Sequence, residues 1–265
     1  MDVSIIIPIH KPNKRILENI QKSIREQRFK GRKEVIIAKS KGLAANINEG
    51  INKAKYDIIV TVHQDCLPEG KDWLEKLTLP LEKREFVASV SDVELPFKLW
   101  KTFDIIAKIL SVKEQLRITP GLDEKGCAYK KNALIQAGLF DEKTFRTAGE
   151  DFDMYIKLKK IGKIAYPHTC VLHFHSYEWK SRFKKEYQLA NGFGTLVRLY
   201  GTKMPAWRIG FIKSIPLLGF PLFFKGLSIQ KLGALIIVTP FILFIINFIY
   251  AAGFWKGFLM GKQTV

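Results

Sequence analysis

The chain has 265 residues, a formal net charge of +18 at pH 7 and three cysteines. This length is typical of one sizeable α/β domain with an appendage, and it excludes two full domains of ordinary size. The cysteines are isolated, with no CxxC pair, which argues against a disulfide framework or a zinc site and favours a reducing compartment. The positive charge attracts polyanions, whether nucleic acid, anionic lipid or a diphosphate-bearing substrate.

Signature motifs of several common enzyme classes do not occur in the sequence. There is no GxxxxGK[ST] or GxGxxG phosphate loop, and neither GxSxG nor HExxH is present. The first ten residues, MDVSIIIPIH, carry no basic leader, so we expect no cleaved signal peptide and a cytoplasmic location for residues 1–200. Only charge supports nucleic acid binding. Anionic headgroups explain the basic residues 180–198 more simply, so no nucleic acid partner is expected.

Strand and helix patterns alternate through the first 90 residues. The β-branched run at 3–7, closed by Pro8, predicts a buried parallel strand, and Asn13 lies at the cap of the helix that follows. Further periodic segments predict strands at 34–38, 57–62 and 86–91, with helices at 42–54 and 71–77. These repeated units predict an α/β fold with a mostly parallel central sheet.

Polar residues follow several of these strands. Binding sites in parallel sheets lie beyond the carboxyl ends of the strands, so His10, residues 63–68 and residues 92–96 are expected to converge. This placement alone nominates Asp65 as a site residue.

The middle of the chain contains a helical stripe and a histidine pair. Between residues 96 and 118 the apolar residues recur at helical spacing, which predicts one stripe that packs in the core, with lipid or acceptor contact as the alternative. Its members are Leu99, Trp100, Phe103, Ile106, Ala107 and Leu110. A strand from Cys127, a helix at 131–137 and a helix beginning at Gly149 or Glu150 come next. His173 and His175 then share one face of a strand-like segment, and a long basic helix at 178–200 follows.

The last 60 residues carry six basic residues and no acid. Residues 232–255 are 24 consecutive uncharged residues, long enough at about 1.5 Å per residue to cross a hydrocarbon core of about 30 Å, with a kink at Pro240. We therefore expect a domain at 1–205 and a membrane-associated tail at 206–265. The tail would hold an interfacial segment at about 206–226 and a transmembrane helix at about 232–255.

Four segments occur in an order that resembles glycosyltransferase family 2. They are VSIIIPIH, GLAANINEGINKA, HQDCLP and GEDFDMYIKLKKIGK, and the resemblance covers most of the first 180 residues. The stretches HQDCLPEGKDWLEKL, VELP and HFHSYEWKSRFKKEY look most like the rhamnosyltransferase-like branch. The resemblance implies the GT-A nucleotide-sugar-binding fold and inverting transfer from a nucleotide-sugar donor.

The same resemblance implies a metal-assisted diphosphate site. The family's acidic cluster after the third strand matches at Asp65, where the usual second acid is missing. Mg²⁺ or Mn²⁺ needs few protein ligands when phosphate oxygens and water complete its shell. His173 or His175 is expected to add a ligand, with ordinary hydrogen bonding as the alternative for the histidine pair.

Catalysis is assigned by resemblance to Asp151 as the base that takes the acceptor proton, with Glu150 orienting it or touching the acceptor. A helix-capping acidic pair is the alternative. The resemblance also implies donor contacts from residues spread over three segments: Pro8, His10, Lys11, Asn48, Gln64 and Asp65. The loop in EVIIAKSKG lacks the family's usual acid, and Ile47 replaces the arginine of the AARNxG pattern, so the nucleobase stays open.

Together these features predict a metal-dependent, inverting glycosyltransferase at the cytoplasmic face of the cell membrane. The expected partners are a nucleotide-sugar donor of a hexose or deoxyhexose, a lipid-linked or glycan acceptor, and membrane lipids. Three alternatives stay open: a catalytically inactive nucleotide-sugar or lipid-binding homologue, a polyprenyl-phosphate sugar synthase, and a basic membrane scaffold. The thinned acidic cluster favours the first of these.

Overall fold

The computed structural model describes residues 1–118, 121–175, 178–225, 227 and 229–263. The strands in this part of the chain are β1 Val3–Pro8, β2 Lys33–Ala38, β3 Ile58–Val62, β4 Cys66–Pro68, β5 Phe86–Val90, β6 Asp92–Glu94, β7 Gly126–Lys130, β8 Lys163–Ala165 and β9 Cys170–His173. The α-helices are α1 Lys14–Arg25, α2 Leu43–Lys53, α3 Trp73–Thr78, α4 Phe97–Trp100, α5 Ile105–Ser111, α6 Lys131–Gln136, α7 Glu150–Leu158, α8 Trp179–Tyr200, α9 Trp207–Lys213, α10 Ile229–Leu232 and α11 Thr239–Met260. Short 3-10 helices occur at Leu79–Glu82, Val112–Gln115, Gly201–Lys203, Phe220–Phe223 and Gly233–Ile237.

The chain divides into two compact units, each assembled from separate stretches of sequence. The first unit comprises Met1–Pro96, Arg117–Glu142 and Asp151–His175. The second comprises Phe97–Leu116, Lys143–Glu150 and Ser176–Val265. The last 60 residues thus share a unit with α4, α5 and α8, and the division at 205/206 into a catalytic domain and a membrane-associated tail stays a prediction.

The first unit is built on a six-stranded sheet of order β2-β1-β3-β7-β5-β8. Its strands pair in parallel except β7, which runs antiparallel to both β3 and β5. The mostly parallel sheet is therefore confirmed. A second sheet of order β4-β9-β6 consists of strands of three or four residues, which were not predicted except for the segment of β9.

The central strands form because their side chains are apolar on both faces. All six residues of β1 are buried. Ile6 packs with Ile59 in one core cluster, while Ile5 and Ile7 pack with Val60 in the other. Two faces covered by apolar packing make β-branched residues favourable along the whole strand rather than at alternate positions.

Helix caps explain both a confirmed prediction and a wrong one. The Oδ1 atom of Asn13 accepts a hydrogen bond of 3.2 Å from Ile16 N, so α1 begins where the sequence predicts. The single helical stripe between residues 96 and 118 is wrong, because this stretch forms α4, α5 and a 3-10 helix. Asp104 lies between the first two, and its carboxylate accepts from Ala107 N at 2.8 Å, starting a new helix.

The second unit is organised by the packing of α11 along α8. Glycines permit the close approach: a Cβ atom at Gly257 would collide with the carbonyl oxygen of Asn191, and one at Gly194 with that of Phe254. Asn191 and Thr195, both buried, bond carbonyl oxygens across this seam. Small residues at helix contacts bring the two backbones together, so α11 is partly a core helix of this unit.

Pro240 does not kink a helix in this structure. The helix α11 begins at Thr239, which places Pro240 in its first turn, where the missing N–H costs nothing. The predicted bounds 232–255 are therefore wrong for this helix: α11 is Thr239–Met260, and residues 229–237 form α10 and a 3-10 helix. That the helix spans a membrane stays a prediction. Within the described residues, α11 is the one helix long and apolar enough to cross a membrane, and 44% of its most apolar window is buried. The predicted interfacial segment, 206–226, contains α9 and a 3-10 helix; its last residue lies outside the described residues.

Candidate active site

Asp65 lies in the turn that joins β3 to β4, at the carboxyl edge of the central sheet. The turn is closed by a 3.0 Å hydrogen bond from Cys66 N to the carbonyl oxygen of His63. Pairing of β4 with β9 places Cys66 opposite His173. The Nε2 atom of His173 consequently lies 3.4 Å from Oδ2 of Asp65, and the Asp65 carbonyl accepts from Phe174 N at 2.6 Å. Backbone pairing thus fixes the carboxylate beside the imidazole.

The carboxyl of Asp65 is held in its ionised form. Burial alone would raise its pKa, but the hydrogen bond from His173 and the imidazoles of His63 and His175 keep the pKa well below the ordinary value. The side chains of Asp65 and His173 are 29% and 12% exposed, so the pair is only partly open to solvent. The ring centroids of His173 and His175 are 3.8 Å apart, so the two imidazoles are neighbours, although β9 ends at His173.

Two further charged residues at this edge were missed by the sequence analysis. Lys125 and Asp123 lie just before β7 and form a salt bridge of 2.7 Å between Nζ and Oδ2. Because β7 is antiparallel to β3, with Gly126 opposite Val62, its beginning lies beside the end of β3. A parallel strand would have placed these residues at the far edge of the sheet, which is why reasoning from a parallel sheet did not find them.

The Asp123–Lys125 salt bridge influences the ionisation of the residues around the turn that carries Asp65. Burial would lower the pKa of Lys125, yet the carboxylates of Asp123 and Asp151 raise it well above its ordinary value, so the amine stays charged. Burial and the Lys125 ammonium lower the pKa of His63 to about 4, so that imidazole is neutral at pH 7. A fixed positive charge therefore lies among Asp123, Asp151 and the turn that carries Asp65.

Asp151 is in the first turn of α7 and belongs to the first unit. Its Oδ1 atom accepts from Phe152 N at 2.7 Å, and its charge interacts with Lys125. Glu150, the other predicted catalytic residue, is buried, with 5% of its surface exposed, and is grouped with the second unit. The catalytic roles of both acids remain a prediction.

The residues predicted to contact the donor near β1 are brought to the same edge as Asp65. Pro8 is the last residue of β1 and is buried. Beyond it, His10 N donates to Gln64 Oε1 at 2.7 Å and Gln64 Nε2 donates to the His10 carbonyl at 2.9 Å. These two bonds fasten the loop after β1 to the turn after β3. Lys11, exposed, adopts a positive φ of 45° in that loop.

The side-chain amide of Asn48 is hydrogen-bonded to the backbone of Phe140. Its Nδ2 atom donates to the Phe140 carbonyl at 2.8 Å, and its Oδ1 atom accepts from Phe140 N at 3.1 Å. Both ends of the amide are therefore engaged, and the predicted contact with a donor stays a prediction.

Glu49, also on α2, supplies the acid that the loop after β2 lacks in sequence. Its Oε2 atom accepts from Lys39 N at 3.0 Å, from Ser40 N at 2.9 Å and from Ser40 Oγ at 2.8 Å. Hydrogen bonds to Lys53 and to this loop lower the pKa of Glu49 to about 2. A carboxylate from the next helix thus orders the loop, which inspection of the loop sequence alone could not reveal.

Asp65, Cys66 and His173 have ligand atoms within 4.8 Å of one another, a spacing that fits one cation. Burial raises the pKa of the Cys66 thiol well above its ordinary value, and a sulfur ligand suits softer metals than Mg²⁺ or Mn²⁺. The remaining carboxylate oxygen and imidazole nitrogen are donors that Mn²⁺ accepts and that Mg²⁺ accepts in part. The residues present therefore fit a divalent cation that keeps open positions for other ligands.

A cavity of about 420 Å³ lies elsewhere in the first unit, beyond the opposite end of the β4–β9 pairing. Arg117 lines it, but the guanidinium is 2.6 Å from a carboxylate oxygen of Glu69 and 3.5 Å from one of Glu94. Its charge is thus matched by acids, and the cavity is separate from the Asp65 cluster.

The fold and this edge define an α/β protein with a polar site at the carboxyl ends of its strands, as in the GT-A fold. Residues 14–142, just under half of the chain, match the sequence profile of the family described as Glycosyl transferase family 2. This part of the chain is therefore similar to family 2 glycosyltransferases. The rhamnosyltransferase-like branch stays a prediction. No curated protein sequence matches the chain significantly.

Two solved structures share the fold. The mannosyltransferase PcManGT from Pyrobaculum calidifontis, in complex with GDP-Man and Mn²⁺, aligns with a TM-score of 0.58 at 13% identity, over 96% of this chain and 86% of that one. GalNAc-T7, with UDP, GalNAc and Mn²⁺, aligns with a TM-score of 0.57 at 14% identity over 89% of this chain. This chain spans about half of GalNAc-T7, 54% of its length. At such identities the likeness shows the GT-A fold.

Proposed function

We propose that the chain is an inverting glycosyltransferase that moves a hexose or deoxyhexose from a nucleotide-sugar donor to an acceptor hydroxyl. The observation that carries this proposal is the Asp65–His173 pair at the sheet edge, with the charge of Lys125 linking that edge to Asp151. The two similar structures were solved with nucleotides or nucleotide sugars and Mn²⁺, which supports the same donor class here.

In this proposal Asp65 and His173 hold Mg²⁺ or Mn²⁺, and His175 lies close enough to His173 to contribute. When bound, the cation stabilises charge on the departing nucleoside diphosphate. The protein keeps Asp65 ionised without a metal, so the cation meets a ready carboxylate. His10 and Gln64 contribute by fixing the loop that borders this carboxylate.

Asp151 serves as the base. The acceptor oxygen forms a bond to the anomeric carbon while the bond from that carbon to the diphosphate oxygen breaks, and the acceptor proton moves to the Asp151 carboxylate. Lys125 keeps a positive charge near this carboxylate and near Cys66, the residue after Asp65, and this charge favours the ionised form of Asp151. Glu150, next to Asp151, would orient the base or contact the acceptor.

The acceptor is proposed to be lipid-linked or a glycan, at the cytoplasmic face of the cell membrane. Support comes from α11, which is apolar enough to enter a bilayer, and from the six basic residues without an acid at 206–265. Exposed apolar side chains on α11 include Phe241, Phe248 and Leu259, at 70%, 46% and 72%. Holding the site near a membrane-confined acceptor raises the frequency of encounter.

The test is release of nucleoside diphosphate from GDP- and UDP-sugars with Mn²⁺ and membrane lipid extract. Asp65→Asn and Asp151→Asn are each expected to lower the rate by about a hundredfold or more. Asp57→Asn, a change at an exposed aspartate of the same unit, is expected to leave it unchanged. Full activity in both site variants would refute the assignment.

One observation favours a non-catalytic homologue as the second candidate. Asp65 is the one acid in the turn after β3, and the neighbouring Gln64 has both ends of its amide bonded to the His10 backbone, so this turn offers a cation a single carboxylate. This candidate predicts Mn²⁺-dependent nucleotide binding without nucleoside diphosphate release under any acceptor condition. A polyprenyl-phosphate sugar synthase would instead release it only when a lipid phosphate is added.

A further inference from the structure

Two lysines of the second unit have their ammonium groups at the same short segment, residues 223–225. Lys113 is in the 3-10 helix Val112–Gln115, and its Nζ atom donates to the Lys225 carbonyl at 2.9 Å. Lys213 is the last residue of α9. Its Nζ atom lies against the ring of Phe223, two residues before the Lys225 carbonyl that Lys113 contacts. Burial lowers the pKa of Lys213, and the charge of Lys113 lowers it further. Holding two like charges near each other costs free energy of folding.

The position of Lys213 is fixed by α11. Asn247, fully buried on that helix, donates from Nδ2 to the Lys213 carbonyl at 2.9 Å and accepts from Leu217 N at 3.0 Å. Trp255 Nε1 donates to the Ser214 carbonyl at 3.0 Å. An asparagine inside an apolar helix is costly unless it is paired, so this clamp is a specific feature rather than generic packing.

The ammonium of Lys213 lies on an aromatic surface. Its Nζ atom is 4.6 Å from the ring centroid of Phe223 and 5.9 Å from that of Tyr250. Neither Lys113 nor Lys213 forms a salt bridge with an acid among the described residues. Half-buried ammonium groups without a carboxylate leave a charge that an anion would satisfy.

The acid whose charge reaches both lysines is already engaged. Glu186 interacts electrostatically with Lys113 and Lys213, and its Oε1 atom lies 2.8 Å from Nη2 of Arg182. Arg182 also contacts Glu114 at 2.8 Å. Both acids therefore lie against Arg182, and within the described part of the chain neither forms a salt bridge with Lys113 or Lys213.

Exposed apolar side chains precede and follow Lys213 along the chain. Ile212 precedes it, and Leu217 and Leu218 follow in the turn that Asn247 clamps, with 40%, 65% and 63% of their surfaces exposed. Cations flanked by aromatic rings and exposed aliphatic chains are typical of surfaces that meet a lipid headgroup region. A soluble anion would satisfy the lysines, but it would leave these apolar side chains in water.

We propose that Lys113 and Lys213 bind the phosphate of a lipid, whose apolar chains lie against Ile212, Leu217 and Leu218. This deepens the proposed function, since it names the chemistry that a lipid-linked acceptor or the bilayer itself would present to the second unit. The proposal rests on the proposed function for the role of the lipid. The binding of the lipid phosphate itself involves no sugar transfer and can be tested separately.

The experiment measures stabilisation of the full chain in neutral detergent. Dioctanoyl phosphatidic acid is titrated, with dioctanoylglycerol as the same tail without phosphate and inorganic phosphate as the headgroup without a tail. The lipid phosphate is expected to raise the Tm in a saturable way, and the other two are expected to have little effect. Lys113→Gln with Lys213→Gln should weaken the apparent Kd by roughly tenfold or more.

Matched variants distinguish a specific phosphate-binding site from general electrostatic attraction to a positively charged protein. The Lys256→Gln, Lys262→Gln chain loses the same charge from the same unit and should keep the wild-type Kd. The Lys113→Arg, Lys213→Arg chain keeps the charge and should bind nearly as well. Equal weakening in both glutamine pairs, or an equal response to inorganic phosphate alone, would overturn the proposal. Since the readout is binding, a chain that transfers no sugar can still pass this test.

Discussion

The Nε2 atom of His173 lies 3.4 Å from Oδ2 of Asp65, and the antiparallel pairing of Cys66 with His173 sets this distance. The pair therefore depends on the register of a small sheet and not on the loop alone. A shift by one residue would turn His173 to the other face and remove it from the carboxylate.

The first prediction concerns the metal. His173→Ala should weaken Mn²⁺-dependent binding of a nucleoside diphosphate by roughly tenfold or more, because one of two proposed ligands is lost. Calorimetric titration with and without EDTA measures this, and EDTA should reduce wild-type binding to the level of the metal-free protein. The control His168→Asn changes a histidine that is 75% exposed and should bind normally. Unchanged Mn²⁺ dependence in His173→Ala would remove this residue from the site.

The second prediction separates the structural and positioning roles of Lys125. Lys125→Met leaves the Asp123 carboxylate without its 2.7 Å partner, and should lower the free energy of unfolding by roughly 2 kcal/mol, less than for a fully buried pair. Adding Asp123→Asn should restore much of that stability, as denaturant titration would show. Activity should not return in the double variant, because the positive charge that interacts with Asp151 is still missing. Recovery of both properties together would show that the pair is purely structural.

Much of the central sheet could be predicted from sequence because its strands are long apolar runs. The predicted strand at 3–7 and the cap at Asn13 agree with β1 and α1. Such runs are buried on both faces, so their identity does not depend on knowing their neighbours.

The parts that escaped prediction depend on pairing between distant segments. The direction of β7 cannot be deduced from its own residues, and that direction alone brings Asp123 and Lys125 to the site. Strands of three residues, such as β4, are too short to show a period of two. Glu49 escaped because an acid on a helix can serve a loop that has none.

The third prediction is a pH dependence of stability. The pKa of Glu49 is about 2 in the folded chain, against an ordinary value of 4.5. The folded state binds its proton less readily than the unfolded state, so this stabilisation is complete above about pH 4.5 and is lost as the pH falls towards 2. Because 23% of the side chain is exposed, we expect a contribution of only about 1 kcal/mol after screening.

Glu49→Gln provides the control for this pH dependence. The variant should be less stable than wild type at pH 7, and the difference should shrink between pH 4.5 and pH 3, as urea titrations at each pH would show. A difference that stays constant over this range would mean that the charge of Glu49 contributes nothing and that the loop at Lys39 and Ser40 is held by shape alone.

The fourth prediction tests the seam between α8 and α11. A Cβ atom at Gly257 would meet the carbonyl oxygen of Asn191 and come within 2.9 Å of Thr195 Oγ1. Gly257→Ala gains about 1 kcal/mol of helix propensity, but it must push two backbones apart, which typically costs about 1 to 3 kcal/mol. Since a backbone carbonyl cannot rotate away, we expect the clash to prevail and the Tm in detergent to fall.

Ala252→Leu, at an exposed position of the same helix, adds more volume and should leave the Tm nearly unchanged. If Gly257→Ala were as stable as wild type, α11 would not pack against α8 at this distance, and its role as a core helix of the second unit would give way to that of an independent membrane span.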